Sequence, residues 1–437
     1  MRLGIDRRSL IRSGLASTLL GVGGRLNPMN WLSKAPRPNI LLIMADDLGV
    51  ECLRSYGGSS YRTPVLSALA DAGTQWENCF STPLCTPSRV QILTGRYPFR
   101  TSWNQLIDNR PRGQQFFNPR LETTFGNILQ DAGYRTAVAG KWQLCHFEDY
   151  PRHAKVCGFD EHLLWIWKDG GQRMPRYWNS VFWRNGKRFV PKHTKYGPDL
   201  CVDFLIRFME RNQDAPFLAY FPMILPHGPF VPTPFDDAGV PRMKKDKAYF
   251  ASMVHYMDNL VGRLLNSLQS LGLRESTLVI FTADNGTKKT ITSRRNGVWI
   301  KGGKASLTDN GCHVPLIAHQ PGVVPAGRSV NDLVDLSDFL PTLTDLTGGK
   351  LPEGVTLDGR SFAPRMLGGS QRERSWVYME LGRHRAIRDH RYKLYGNGRF
   401  YDLKTDPYEQ RTLSADDQST TAMVNHARLK WSLGQLK

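Results

Sequence analysis

The chain alternates short apolar runs with stretches in which apolar residues recur every three or four positions. Four mostly apolar runs have strand length: 39–44, 135–139, 217–221 and 277–282. The amphipathic stretches predict helices over 64–73, 124–133, 199–212 and 247–272. Strands that are apolar on both faces need cover on both faces. The alternation therefore predicts an α/β fold with a large, mostly parallel sheet sandwiched by helices.

Polar residues stand at or beyond the carboxyl end of each of these predicted strands. They are Asp46, Asp47, Lys141, His227, Asp284 and Asn285. The carboxyl ends of parallel strands lie at one edge of a sheet, where open α/β sheets bind their ligands. The pattern therefore predicts one site assembled from four distant segments.

The pattern changes after the glycine pair at 348–349. Two short apolar segments within 392–403 are joined by a Gly-Asn-Gly turn, which is a strong hairpin signal. We therefore predict a catalytic α/β domain over 36–350 and a small C-terminal α+β subdomain over 351–437. The subdomain is expected to contain a short antiparallel sheet and a terminal helix.

Residues 1–33 resemble an export signal. Arg7 and Arg8 precede a weakly apolar run over 14–24 that is too short to span a bilayer stably. An arginine pair before such a run is typical of twin-arginine signals, which export folded proteins in bacteria. A disordered basic N-terminus is the alternative. We expect a mature protein in the periplasm or outside the cell, and no later segment resembles a transmembrane helix.

Composition narrows the class of protein. A chain of 437 residues that is 40% hydrophobic can bury a sizeable core, which excludes disordered and fibrous classes. The 58 Lys and Arg residues exceed the 39 Asp and Glu residues by 19, which favours an anionic partner such as nucleic acid, acidic lipid or acidic polysaccharide. No nucleic-acid-binding motif is found, and export argues against that partner.

The cysteines suggest one residue with a special role. There are seven, and they show no C-x-x-C spacing typical of zinc sites. An odd number in an exported protein leaves one for a role other than pairing, while the others are either paired or simply buried.

Three carboxylates and an amide are expected to converge at the predicted site: Asp46, Asp47, Asp284 and Asn285. Unpaired carboxylates in one place repel each other, so a bound cation explains the cluster. A turn or a helix cap explains each pair taken singly. Oxygen ligands without His or Cys favour Ca²⁺ or Mg²⁺ over Zn²⁺.

One further stretch reads Cys85-Thr-Pro-Ser-Arg and is soon followed by Thr-Gly-Arg. Thr86 and Pro87 suit an N-cap and the first helical position, which puts Cys85 beside the electropositive start of a helix. Arg89, one turn later, can point back to the same place. A buried structural cysteine before a helix is the alternative.

The pattern C-x-P-S-R followed by T-G-R resembles the signature of the type I, formylglycine-dependent sulfatases of the alkaline-phosphatase superfamily. The resemblance covers about residues 36–413, almost the whole predicted mature chain. Its other motifs, in family order, are Asp46-Asp47, Gly140-Lys141-Trp142, Pro226-His227-Gly228-Pro229, Asp284-Asn285-Gly286, Gly303-Lys304 before Gly311 and Pro315, and Tyr401-Asp402-Leu403 with Asp406-Pro407 and Glu409.

This resemblance implies a sulfuric ester hydrolase in which a formylglycine-generating enzyme oxidises Cys85 to formylglycine. The hydrated aldehyde has two hydroxyls: one attacks sulfur, and the other then expels sulfate and restores the aldehyde. The implied metal is Ca²⁺, with Mg²⁺ as the alternative, and it would lower the pKa of the hydrate. By resemblance its ligands are Asp46, Asp47, Cys85, Asp284 and Asn285.

Four basic residues also match the family. Arg89 would hold the hydrate and shield the carboxylates of the metal site. Lys141, Lys304 and His227 match residues that bind the sulfate, and His227 with Lys304 would protonate the departing alcohol.

The chain departs from the family at two places. Gln143 stands where a His two residues after the lysine is usual, and Gln can donate a hydrogen bond but cannot take a proton. The base role is therefore open, with His146 as one substitute. Residues 309–313 replace the usual Glu-Gly-Gly-x-Arg, which should alter the local pocket.

Two basic, tryptophan-containing segments, 165–195 and 288–299, can hold further sulfate or carboxylate groups and stack on a sugar. Solvated basic loops around core aromatic residues are the alternative. With the net charge of +19 they favour a sulfated polysaccharide or its oligosaccharides as substrate. A phosphate or phosphonate ester hydrolase and a catalytically silent polyanion-binding protein stay open. Gln143 supports the silent protein, whereas the intact Cys85 motif argues against it.

Overall fold

The structure is a computed structural model that describes residues 37–111, 113–236, 239, 241–414 and 419–436. The predicted export signal at 1–33 lies outside these residues. The strands are β1 (Asn39–Ala45), β2 (Thr74–Phe80), β3 (Arg135–Lys141), β4 (Glu161–Trp165), β5 (Lys168–Asp169), β6 (Gln172–Arg173), β7 (Phe182–Arg184), β8 (Lys187–Phe189), β9 (Phe217–Pro222), β10 (Thr277–Ala283), β11 (Thr292–Arg295), β12 (Val298–Lys301), β13 (His313–His319), β14 (Arg328–Asp335), β15 (Val377–Leu381), β16 (His384–Arg388), β17 (Tyr392–Tyr395) and β18 (Phe400–Asp402). The α-helices are α1 (Pro64–Asp71), α2 (Cys85–Thr94), α3 (Pro98–Thr101), α4 (Phe125–Asp131), α5 (His153–Val156), α6 (Gly197–Arg211), α7 (Tyr249–Ser270), α8 (Asp309–Cys312), α9 (Phe339–Thr347), α10 (Ala363–Met366) and α11 (Thr420–Gln435).

The main sheet has ten strands in the order β14–β2–β13–β10–β1–β9–β3–β4–β7–β8. Its centre, from β10 through β1, β9 and β3 to β4, is parallel, and this centre contains all four predicted strands. Towards the edges, β13 pairs antiparallel with both neighbours, and so does β7. The sheet is therefore mixed, with a parallel core.

Burial explains why the centre is parallel and apolar. Every residue of β1 and of β10 is buried, so both faces of the sheet are covered there. One group of helices, α1, α6 and α7, packs together and contacts β13, β3 and β9, while α4 contacts β3 and packs with α2 and α9. The predicted α/β architecture flanked by helices is confirmed.

The four predicted helices correspond to α1, α4, α6 and α7, and their ends differ from the predicted bounds by a few residues. The prediction for the cysteine helix was wrong in its start. Leu84 is the N-cap of α2, so Cys85 is its first residue and Thr86 its second. Pro87 fits there because the first-turn N–H groups of a helix have no intrahelical partner in any case. Within the described ranges, no helix combines the length and apolarity that a membrane span requires.

A second, four-stranded antiparallel sheet, β15–β16–β17–β18, lies near the C-terminus. The predicted hairpin is confirmed as β17 and β18, which pair antiparallel. Helix α11 packs on β16 and β17, and the apolar face of the sheet shares a core cluster with Phe80 and Leu307 of the preceding part of the chain. The small sheet is thereby attached to the segment that follows Lys304.

All seven cysteines are buried as free thiols. The pairing that the sequence left open is therefore absent, and the simple burial alternative holds for the thiols outside the predicted site.

Candidate active site

The register of the central strands brings the acidic motifs together. Ala45 at the end of β1 lies opposite Ala283 at the end of β10, so the residues that follow emerge side by side. The backbone N–H of Asp284 donates to the Ala45 carbonyl at 3.0 Å, and the N–H of Asp47 donates to Asp284 Oδ1 at 3.1 Å. Asp47 has a φ of 67°, a left-handed conformation that Asp adopts more readily than most residues. Both pairs of site residues thus converge at the carboxyl edge of the sheet.

Two cations come from neighbouring segments. Lys141 is the last residue of β3, and its Nζ lies 2.8 and 2.9 Å from the two carboxylate oxygens of Asp46. The Nζ of Lys304 lies 2.5 Å from Asp47 Oδ1, and its backbone N–H is bonded to the Thr287 carbonyl beyond β10. Each carboxylate of the pair therefore has its own ammonium group.

His227 is carried by the loop after β9, the strand between β1 and β3. Its Nε2 lies 3.6 Å from Asp47 Oδ2, while its Nδ1 is 2.5 Å from the Gly228 carbonyl. Since a carbonyl only accepts, Nδ1 carries the proton in the neutral ring and Nε2 is left as an acceptor. The ring thus presents Nε2 to the cluster.

Cys85 and Arg89 complete the site from α2. The thiol of Cys85 lies 3.4 Å from Asp46 Oδ1 and 3.6 Å from Asp47 Oδ1, and Lys304 Nζ is 3.3 Å from its sulfur. One turn on, Arg89 donates to Asp284 Oδ2 and to the Lys141 carbonyl, both at 2.7 Å. The structure therefore brings together every residue that sequence analysis assigned to the site: Asp46, Asp47, Cys85, Arg89, Lys141, His227, Asp284, Asn285 and Lys304.

The carboxylates differ in their electrostatic surroundings. Burial favours the neutral form of Asp46, yet Lys141, His227 and Arg89 outweigh it and hold its pKa well below the ordinary value. The pKa of Asp47 is also lowered, because His227 and Lys304 outweigh its burial. Burial and the neighbouring Asp46 raise the pKa of Asp284 to about 6, despite Arg89. A carboxyl cluster with one member resisting ionisation favours an added positive charge.

The groups around these carboxylates are shifted in the same sense. Burial, with Asp284 nearby, raises the pKa of the Cys85 thiol to about 12, so it is protonated at neutral pH. Burial alone would lower the pKa of Lys304, but Asp47 raises it, so the ammonium stays charged. Burial and then the Arg176 cation hold the pKa of His227 well below its usual value.

The oxygen atoms of the cluster fit a hard divalent cation. Asp47 Oδ2 and Asn285 Oδ1 are buried, and neither accepts a hydrogen bond. Ligand atoms of Asp46, Asp47, Cys85 and His227 all lie within 4.8 Å of one another. Orphaned buried oxygens beside acidic groups are the donor set that Ca²⁺ and Mg²⁺ bind. A possible metal site is therefore present.

Gln143, the departure from the family pattern, has a φ of 58°, and its side-chain oxygen is buried without a hydrogen-bond partner among the described residues. His146, considered as a substitute base, lies 3.1 Å from the Gln115 side chain through Nε2 and contacts the Trp167 ring. These contacts belong to the β5–β6 side of the molecule and do not include Cys85, so the structure gives His146 no place in the site.

Sequence analysis missed one charged group. The Nη1 of Arg176 lies 3.2 Å from Asp46 Oδ2. The residue was only one of many basic positions in the 165–195 segment, and neither periodicity nor a motif distinguishes it. Its place depends on how the irregular segment between β6 and β7 folds over the sheet edge.

Known proteins with similar sequences and folds agree with this geometry. The family model described as Sulfatase matches residues 38–349, and that of the N-sulphoglucosamine sulphohydrolase C-terminal region matches 302–436. Steryl-sulfatase of Homo sapiens is 30% identical over 77% of this chain and 71% of its own length. N-acetylgalactosamine-6-sulfatase of Canis lupus familiaris is 31% identical over 83% of this chain and 71% of its own length.

Solved structures share the whole architecture. Ps i-CgsB in complex with k-i-k-neocarrahexaose superimposes with a TM-score of 0.77 at 27% identity, over 91% of this chain and 93% of that one. The phosphonate monoester hydrolase of Agrobacterium radiobacter shares the fold with a TM-score of 0.67 at 21% identity, over 91% of this chain and 96% of that one. Because the family match covers most of the catalytic region and the site retains its motifs, the chain belongs to the sulfatase family of the alkaline-phosphatase superfamily and is a sulfuric ester hydrolase.

Proposed function

We propose that this sulfatase removes sulfate from an anionic carbohydrate, with Cys85 converted to formylglycine and a divalent metal in the oxygen cluster. The observation that carries the proposal is the ring of cations around Cys85. Lys141 and Lys304 each lie within 3 Å of a carboxylate oxygen of the cluster, and Lys304 also touches the Cys85 sulfur. A sulfate ester is an anion, so it can approach a carboxylate pair only where positive groups surround it.

The modification of Cys85 is supported by the properties of its thiol. The side chain is 1% exposed, and its raised pKa leaves almost no thiolate, so the unmodified residue is a poor nucleophile. Conversion of –CH2SH to –CHO by molecular oxygen and a maturation enzyme removes sulfur and two hydrogens and adds one oxygen. The hydrate of that aldehyde supplies the attacking hydroxyl.

A peptide mass measurement tests this step. Protein produced with an active converting enzyme is expected to give the aldehyde mass for the peptide that contains Cys85, and Cys85→Ala protein is the control for peptide assignment. An unmodified thiol, with a control sulfatase converted in the same cells, contradicts the proposed nucleophile. That result would favour a catalytically silent polyanion-binding protein.

The metal would be held by Asp46, Asp47, Asp284 and Asn285, with Cys85 in its modified form as a further ligand. Bound there, a cation supplies Lewis-acid stabilisation of negative charge on the sulfate and on the nucleophile. The ligands are oxygens apart from the neighbouring sulfur and imidazole, which supports Ca²⁺ with Mg²⁺ as the alternative.

The basic residues of the chain have separate tasks in this proposal. Arg89 is fixed by Asp284 and the Lys141 carbonyl, so it holds the base of α2 against the carboxylates. Lys141 and Lys304 bind the sulfate oxygens as charged donors. Lys304 and His227 lie on the Asp47 side, from which a proton can reach the departing alcohol.

Relatives and surface charge support a carbohydrate substrate. N-acetylgalactosamine-6-sulfatase is named for a sulfated sugar, and Ps i-CgsB was solved with a carrahexaose. The β11–β12 hairpin, between Asn285 and Lys304, places Arg294 opposite Trp299, and Trp299 is 66% exposed. A cation beside an exposed indole is suited to an anionic sugar.

The name of steryl-sulfatase shows that similar identity also accompanies a different substrate class. A release assay separates these substrates: sulfated mono- and oligosaccharides, a steryl sulfate and 4-nitrophenyl sulfate are compared by kcat/KM. We expect the highest values for sulfated sugars, whereas a clear preference for the uncharged steryl or aryl skeleton contradicts the carbohydrate proposal. Matched phosphate esters in the same assay test the phosphohydrolase alternative.

Export is a separate proposal that rests on residues 1–33. We propose that Arg7 and Arg8 direct the folded chain through the twin-arginine route to the periplasm or the medium. Cell fractionation is expected to find the wild-type chain outside the cytoplasm and the Arg7→Lys, Arg8→Lys double variant retained inside. Export of both proteins alike contradicts the proposed route.

A further inference from the structure

A cation outside the family motifs reaches the carboxylate cluster from the rim. Arg176, three residues beyond β6, lies with Nη1 3.2 Å from Asp46 Oδ2. Its side chain is 13% exposed, whereas that of Lys141 on the same carboxylate is 2% exposed. Arg176 is therefore the cation on the Asp46 side that a ligand entering from solvent can reach.

The guanidinium is held in place before any ligand arrives. Its Cζ stacks over the ring of Trp165 at 4.2 Å from the centroid, and the indole N–H of Trp165 donates to the Pro175 carbonyl at 2.8 Å. The next residue, Tyr177, donates its hydroxyl to the carbonyl of His227, which ties this segment to the loop of the catalytic histidine. A fixed guanidinium loses little conformational entropy when it binds an anion.

Asp46 does not require Arg176 as its partner. Lys141 already contacts both oxygens of that carboxylate, and Arg89 lies 3.7 Å from one of them. A guanidinium has five N–H donors, and within the described residues Arg176 uses its side-chain donors for Asp46 alone. Donors are therefore left for a ligand.

The number of cations exceeds what one sulfate ester needs. Lys141, Lys304 and His227 are assigned to the transferred sulfate, which carries a single negative charge. A fourth, planar cation at the rim suits a second anion, since guanidinium pairs bidentately with carboxylate or sulfate groups. No family motif includes this arginine, so its role belongs to substrate choice in this chain.

We propose that Arg176 is a specificity-determining residue that binds a second anionic group of the substrate, a sulfate or carboxylate beside the ester that is cleaved. The inference rests on the proposed function and deepens it, because it assigns the substrate to the class of sugars with two neighbouring anionic groups.

The test compares two sugars that differ in one charge, N-acetylglucosamine 6-sulfate and glucosamine 2-N,6-O-disulfate, with four proteins. These are the wild type, Arg176→Gln, Arg176→Lys and Arg399→Gln. Arg399 is the matched control, because it also stacks on an aromatic ring, with Cζ 4.5 Å from the Tyr395 centroid, but it is exposed on the C-terminal sheet.

We expect the wild type to prefer the disulfate and R176Q to lose about ten-fold more kcat/KM on the disulfate than on the monosulfate, mainly through KM. Arg176→Lys should recover part of the preference, since lysine keeps the charge but not the planar fork. Arg399→Gln should keep the wild-type preference. Equal losses on both sugars in R176Q, or a wild type without preference, overturn the inference.

A purely structural role through Asp46 has a different signature. If Arg176 only orients that carboxylate, Arg176→Gln will lose the rise in melting temperature that Ca²⁺ gives the wild type, and this result also overturns the inference. If the wild type releases sulfate from neither sugar, the carbohydrate proposal fails, and the comparison moves to phenyl sulfate and 3-carboxyphenyl sulfate. The same ten-fold differential then supports the role of Arg176, and equal losses overturn it.

Discussion

At the scale of single residues, His227 and Lys304 share the Asp47 side of the site but differ in their protons. Lys304 is charged, whereas the pKa of His227 is held below its usual value. We expect His227→Ala to lower kcat on a sulfated sugar by about 10²–10³-fold, because a poor alkoxide leaving group needs a proton. The loss on 4-nitrophenyl sulfate should be at least ten-fold smaller, since nitrophenolate leaves without one.

His146→Ala is the matched control for this experiment, since its ring contacts Gln115 and Trp167 rather than the site. It should keep the wild-type rate on both substrates. Equal losses on the two substrates in H227A argue that His227 only binds the ester. A large loss in H146A revives its role as a substitute base.

The buried oxygens of Asp47 and Asn285 give a prediction for metal binding. A cation that binds only the folded chain stabilises it by about 2.7 kcal/mol at a hundred-fold excess over its Kd. Addition of Ca²⁺ to metal-free protein should therefore raise the melting temperature, measured by calorimetry, and Asp47→Ala should abolish the rise. Asp203→Ala, which removes an exposed carboxylate on α6, should keep it. A rise that survives in D47A places the metal elsewhere.

Residues of the site differ in how well the sequence predicts them. The four oxygen ligands follow apolar runs at the ends of parallel strands, and the basic residues stand in short motifs, so pattern and resemblance locate them. Arg176 has neither signal, because its position depends on the irregular segment between β6 and β7. Gln143 was identified as a departure, but its unpartnered oxygen depends on packing that no local pattern encodes.

At the scale of elements, the central strands were predictable because a strand buried on both faces must be apolar at every position. The antiparallel edge strands β7 and β8 mix exposed polar and buried apolar residues, so they give no such run. Helix starts were harder to predict. Thr124 caps α4 with its own side chain, but Thr63 makes no such bond at α1.

The cap of α1 comes instead from Asp258 on α7. Its carboxylate accepts the backbone N–H groups of Val65 and Leu66 at 3.0 and 2.8 Å, and the residue is 1% exposed. Asp258→Ala leaves two buried donors unsatisfied, so we expect a loss of about 2–4 kcal/mol in the free energy of unfolding by urea. Asp246→Ala removes an exposed cap at the start of α7 and should cost less than about 1 kcal/mol, because water replaces it.

The same residue gives a pH signature. Burial raises the pKa of Asp258 to about 6, although the two N–H bonds oppose this, so the folded chain holds its proton at a pH where the unfolded chain has lost it. The free energy of unfolding therefore decreases as pH rises from about 4 to above 6. The difference between wild type and Asp258→Ala should shrink over that range. A pH-independent difference contradicts the raised pKa.

At the scale of the whole molecule, the C-terminal sheet is tied to the catalytic region through charge as well as through apolar packing. Lys393 on β17 is fully buried, and its Nζ bonds to the Leu307 carbonyl at 2.5 Å, to Asp309 Oδ1 at 3.1 Å and to Glu409 Oε1 at 2.8 Å. Asp309 is also paired with Arg388. The sequence indicated a change of texture near 350 but not this attachment, because the partners are far apart along the chain.

The attachment leads to a prediction that joins stability to activity. Lys393→Met leaves two buried carboxylates without their ammonium, so we expect a loss of about 3–5 kcal/mol in the free energy of unfolding. The segment from Leu307 to Asp309 lies just beyond Lys304, so KM for a sulfate ester should also rise, even where the variant is fully folded by circular dichroism. Arg391→Met removes an exposed cation from the same sheet, one that pairs with Asp402, and it should cost less than about 1 kcal/mol with KM unchanged. If K393M loses stability while its KM stays at the wild-type value, the C-terminal sheet supports the fold without positioning Lys304. A rise in KM alone would mean instead that the sheet acts mainly on the site.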